Sequence, residues 1–155
     1  MRKSFIRKGT TIVEVLLYLG LISIFLVIMV DVFVTGANFK LESESTSAVQ
    51  RDSQFILAKM MNEVSNSASL NVSGNSLILS TGTYSLSGGN LVFTQAGTST
   101  NLNSLETSIT NISFTQLGNV DGVPTARVSF DIESNIVKQG NIKETRSFTT
   151  TLGLR

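Results

Sequence analysis

A lone carboxylate inside an otherwise uncharged apolar run is the residue best placed for chemistry. Glu14 lies in Thr11-Ile12-Val13-Glu14-Val15-Leu16-Leu17-Tyr18-Leu19, and the run continues without another charge to Asp31. A carboxylate at membrane depth costs about 2.5–3.5 kcal/mol on insertion scales, so such a residue is a functional candidate by default. Two further acids, Asp131 and Glu133, stand two apart on a predicted strand and share one face. They alternate with Val128, Phe130 and Ile132, which makes them a solvent face rather than an acid–base pair. The chain has no histidine and no cysteine. That removes the usual general base, the commonest metal ligand and any thiolate. No metal and no cofactor is expected, and the chain does not read as an enzyme.

The element that must position Glu14 is a helix. Thr10 to Val34 spans roughly 37 Å at helical rise, enough to cross a hydrocarbon core of about 30 Å with some tilt. Arg2, Lys3, Arg7 and Lys8 precede it, and residues 1–9 contain no acid. The positive-inside rule then puts the N-terminus in the cytoplasm and the bulk of the chain outside. The net charge of +1 hides an asymmetry. Twelve basic residues less those four leave eight against eleven acids, a net charge of −3 downstream. Nothing there forms a basic patch, so direct nucleic-acid binding is not expected.

Three readings of the N-terminal segment compete. A secretory signal peptide would have a shorter apolar stretch and a small-residue cleavage site beyond it. Val30-Asp31-Val32-Phe33-Val34-Thr35-Gly36 is a poor site of that kind. A plain signal anchor carrying an extracytoplasmic β-domain as a binding module is the alternative, and it leaves Glu14 to snorkel. The third reading accounts for Glu14. Arg7-Lys8-Gly9-Thr10-Thr11-Ile12-Val13-Glu14-Val15 resembles the N-terminal signal of type IV prepilins and pseudopilins. In that family a basic leader ends in Gly, and the fifth residue of the mature chain is Glu.

The resemblance implies cleavage between Gly9 and Thr10 by a membrane-embedded prepilin peptidase. It also implies N-methylation of Thr10, although Phe is the usual first mature residue. Glu14 would pair with the N-terminal amine of a neighbouring subunit. The implied partners are the prepilin peptidase, other pilins or pseudopilins, an inner-membrane assembly platform and membrane lipid. The implied location is the cytoplasmic (inner) membrane, single-pass, and then an extracytoplasmic filament. Removing one partner of a buried ion pair typically costs about 3–5 kcal/mol, so such a pair can set register.

Beyond the apolar run, Gly36 predicts a bend or weak turn. From Ser45 to Ser67 the pattern turns amphipathic. Val49, Ile56, Met60 and Val64 form a stripe, which Phe55, Leu57 and Met61 would widen. Residues 49–64 resemble the same region of PilW-type minor pilins and J-type minor pseudopilins, as does the ending Ser147-Phe148-Thr149-Thr150-Thr151-Leu152-Gly153-Leu154-Arg155. From Leu70 the period changes to two. Leu77/Leu79, Tyr84/Leu86, Leu91/Phe93, Ile109/Ile112/Phe114, Val128/Phe130/Ile132 and Phe148/Leu152 predict strands. Gly88-Gly89-Asn90, Asp121-Gly122 and Gln139-Gly140-Asn141 predict turns. Gln95 to Asn101, the most polar segment, predicts a surface loop.

The expected fold is α+β. A long N-terminal helix, membrane-spanning in its first half and amphipathic in its second, packs on a C-terminal antiparallel β-sheet, which is the pilin fold. The expected divisions are a leader (1–9), an assembly helix (10–34), an amphipathic helix (35–68) and a sheet (69–155). The expected role is a minor pilin or minor pseudopilin that primes assembly or sits near the filament tip.

Overall fold

A computed structural model describes residues 11–118 and 123–154. The described residues form one helix and eight strands, α1 (Ile12–Ser65), β1 (Leu70–Ser73), β2 (Ser76–Leu79), β3 (Thr83–Ser87), β4 (Asn90–Gln95), β5 (Thr98–Asn101), β6 (Thr107–Leu117), β7 (Thr125–Lys138) and β8 (Ile142–Gly153). The chain divides into two compact units, residues 1–39 and 40–155. The class is α+β.

In the first unit the helix is apolar on every side. Exposure of its large hydrophobic residues from Ile12 to Val34 runs from 45% at Val15 to 80% at Ile12. A helix apolar all round is not an amphipathic surface helix. It is long and apolar enough to cross a membrane. At Gly36, where a bend or weak turn was expected, the helix is not interrupted, and α1 continues through it. One glycine weakens a helix by only about 1 kcal/mol, which its neighbours outweigh.

In the second unit the core face of α1 is the predicted stripe. Val49, Ile56 and Met60 are fully buried and Val64 nearly so. The stripe is narrower than expected, because Phe55 and Met61 are about half exposed. Ser45, Ala48, Asp52, Ser53 and Glu63 are buried in their place.

The strands form two antiparallel meanders rather than one sheet. The first has the order β1-β2-β3-β4-β5 and the second β6-β7-β8. Leu77, Tyr84, Leu91 and Phe93 of the first, and Ile109, Ile112, Val128, Phe130 and Ile132 of the second, enter one core with the helix stripe. The spacing of Ile109 and Ile112 breaks the two-residue period, yet both are buried. A register shift between Ile109 and Asn111 inserts the extra residue, as a β-bulge does.

Gly88 and Gly89, both at positive φ, close the β3–β4 hairpin as predicted. The expected loop at 95–101 is instead a second hairpin. Ala96 (φ 51°) and Gly97 (φ 82°) turn β4 into β5, and Gln95 pairs with Thr98. Every residue of β5 is exposed, so no apolar alternation was there to reveal it. The predicted turn at Asp121-Gly122 lies outside the described residues.

Candidate functional site

The first turn of α1 is built from three side chains. Thr11 precedes the helix, and its Oγ1 accepts a hydrogen bond from the Glu14 amide at 3.3 Å. Its carbonyl accepts from the Val15 amide at 3.2 Å. This is N-capping, which satisfies a donor that the helix itself leaves open. One turn on, the Tyr18 hydroxyl donates to Glu14 Oε1 at 3.4 Å. Farther along, Ser23 turns its hydroxyl back to the Leu19 carbonyl at 2.8 Å. The two hydroxyls and one carboxylate between Ile12 and Val30 therefore each have an intrahelical partner. That is what a helix in hydrocarbon requires of its polar groups.

Gly9 and Thr10, the expected cleavage and methylation positions, lie outside the described residues. Glu14 falls in the first helical turn. Two neighbours were missed in the sequence. Thr11-Ile12-Val13-Glu14 is a Thr-x-x-Glu signature ahead of an apolar run, which marks a helix start. Tyr18 stands four residues after Glu14, the spacing at which helical side chains meet.

A second polar constellation lies in the second unit. Asp52 is 5% exposed, at helical spacing from Val49 and Ile56. Its Oδ2 accepts from the Ser104 amide at 2.8 Å, the Ser104 hydroxyl at 2.6 Å and the Thr107 hydroxyl at 2.6 Å. Arg51 Nε lies 3.5 Å from Oδ1, and Arg51 Nη2 meets Glu106 at 2.6 Å. Burial alone would raise the Asp52 pKa. The Ser104 and Thr107 hydroxyls, the Ser104 amide and the Arg51 charge together outweigh it and hold the carboxyl below its ordinary range.

These bonds fix the connection from β5 to β6, where the chain passes between the sheets. Asn103 accepts from the Leu91 amide at 2.9 Å and donates to the Thr107 carbonyl at 2.8 Å. Asn135 of β7 donates from its side chain to the Leu105 carbonyl at 3.0 Å and from its amide to the Glu106 carbonyl at 2.7 Å. The arrangement is a clamp. Asp52 spends Oδ2 on three accepted hydrogen bonds and turns Oδ1 toward Arg51, which is a structural use of the carboxylate. The sequence signal was available, an acid at a core position of the helix stripe.

The two acids of the predicted strand, Asp131 and Glu133, also have partners. Asp131 accepts from Ser147, and Glu133 meets Lys143 at 2.6 Å, both half-buried. They are not brought together on any other titratable group. Among the described residues no cluster of acidic side chains could hold a metal ion. A shallow cleft of about 240 Å³ is lined by Phe55, Lys59, Phe93 and the polar side of β5. Lys59 lies 5.3 Å from the Phe93 ring centre and pairs with Glu63, so its charge is already met.

No family model, curated protein or solved structure matches the chain.

Proposed function

We infer that this chain is a minor pilin or minor pseudopilin, a structural subunit of a type IV pilus-like filament. The observation that carries the reading is an all-round apolar, exposed helix with one carboxylate in its first turn. Magnitudes favour a membrane as the first resting place of that helix. Seventeen Leu, Ile, Val and Phe residues lie between Ile12 and Val34. At about 0.4 kcal/mol each, they favour insertion by roughly 7 kcal/mol. Glu14 and Asp31 would oppose this by about 6 kcal/mol if both sat at the centre. They are 17 residues apart, about 25 Å along the helix, so each falls near a membrane face, where the penalty shrinks.

In this reading prepilin peptidase cuts between Gly9 and Thr10, and the new amine is methylated. The N-terminus faces the cytoplasm and the strand-rich unit lies outside. Glu14 of one subunit neutralises the amine of the next as subunits leave the bilayer. Apolar helix faces provide the packing, and the ion pair provides the axial register. The α+β architecture, a long N-terminal helix with antiparallel strands after it, is the arrangement a pilin requires. The chain does no chemistry of its own; it is the substrate of a peptidase.

Mass spectrometry of the chain from its own host tests the reading. Thr10 as the first residue, with or without one added methyl, is the expected result. A mature chain that begins at Met1 or Arg2 removes the filament reading and leaves a signal-anchored module.

A further inference from the structure

Among the described residues, the Glu14 carboxylate is held at one oxygen and open at the other. Tyr18 donates to Oε1. Among the described residues no donor meets Oε2. In a full capping box the Glu side chain reaches back to the amide of the capping residue. Here the Thr11 half of the box forms, with its Oγ1 on the Glu14 amide, and the Glu14 half is replaced. Its carboxylate turns along the helix toward Tyr18.

The direction follows from helix geometry. Side chains lean toward the helix N-terminus, so a residue at i+4 overlies the turn before it. A tyrosine there keeps its ring among apolar neighbours and sends its hydroxyl toward the polar end. Phenylalanine would fill the same apolar space and provide no donor. Tyr18 is one of only two tyrosines in the chain and the only one in the apolar run, against nine phenylalanines overall.

We propose that Tyr18 is a positioning residue, which holds the Glu14 carboxylate in one orientation and leaves Oε2 to receive the ammonium group of a neighbouring chain. The inference rests on the filament reading and adds a residue to its assembly site. A carboxylate without a fixed donor in hydrocarbon samples several rotamers, and ordering it opposes each docking event. Tyr18 makes that ordering part of the free subunit. The bond is long at 3.4 Å, so its effect belongs at the weak end for a hydrogen bond to a charged group, about tenfold in assembly.

The test uses the full chain in its own host, with Tyr18→Phe, Glu14→Gln and the double variant at equal membrane abundance. Sheared filaments are assayed for incorporated subunit. The expected result is severe loss for Glu14→Gln, about tenfold loss for Tyr18→Phe, and a double variant no worse than Glu14→Gln. Infrared spectra of the purified chains in lipid nanodiscs give an independent reading. The Glu14 band, identified by its absence in Glu14→Gln, shifts in Tyr18→Phe.

Wild-type incorporation by Tyr18→Phe beside a defective Glu14→Gln overturns the Tyr18 role and leaves the filament reading standing. An unshifted Glu14 band overturns it too, since any assembly defect then comes from ring packing. Normal assembly by Glu14→Gln overturns the filament reading itself, whatever Tyr18 does.

Discussion

Replacing Asp52 with Ala removes the carboxylate and strands the three donors that meet its Oδ2. The Thr107 hydroxyl belongs to a residue only 2% exposed, so water cannot replace the lost acceptor. Leaving such a donor unmet costs about 1–3 kcal/mol. The Ser104 amide and hydroxyl are part-buried and can turn to water, which limits their joint loss to about 1 kcal/mol. The total is about 3 kcal/mol. With a urea dependence of about 2 kcal/mol per molar, the midpoint falls by about 1.5 M.

Asp52→Asn keeps an acceptor of the same shape and gives up the charge, so it should lose about half as much. The sign of the pH dependence follows from the depressed pKa. Asp52 titrates below its ordinary 3.8 when folded, so its stabilisation is complete above that pH. It disappears as the pH falls through the folded value. The gap between wild type and Asp52→Asn should therefore close on acidification below 3.8. The assay is urea unfolding of the full chain in detergent, followed by the strand signal in circular dichroism. An Asp52→Ala midpoint within about 0.3 M of wild type would refute the clamp. Equal losses for Ala and Asn would show that shape or packing, not accepted hydrogen bonds, is responsible.

Other consequences follow from single residues. Glu14→Lys should lower filament incorporation more than Glu14→Gln does, because it sets two cations against each other. Equal defects would count against pairing with an amine. Gly82→Ala should destabilise the chain by about 2–3 kcal/mol in the same urea assay. The added methyl would lie 2.6 Å from both the Phe93 ring and the Thr94 carbonyl oxygen, and the backbone oxygen has little room to retreat. Tyr84→Phe should be neutral or stabilising by up to about 1 kcal/mol. The Tyr84 residue is fully buried and its hydroxyl has no partner among the described residues; a loss of stability would reveal one.

The sequence by itself determined the element types and much of the core. Period alone picked Val49, Ile56, Met60 and Val64 on α1, and Val128, Phe130 and Ile132 on β7, because burial of one face imposes a repeat that the chain must obey. Two glycines in succession fixed the β3–β4 turn, since only positive φ closes a two-residue hairpin with the right twist. Composition excluded histidine and thiol chemistry outright, and hydropathy marked the helix able to cross a membrane. The β5 strand was not legible, because Thr98 to Asn101 buries nothing and leaves no periodic trace.

Only the tertiary structure decided how polar residues are used. Asp52 in sequence is one more charge on a helix. In the fold it is the acceptor around which the connection between two sheets is organised, with donors 52 and 55 residues away in the chain. Pattern reports which face of an element is buried. It does not report which distant donors that face will meet, because partners so far apart in sequence are set by how sheets and helix pack together.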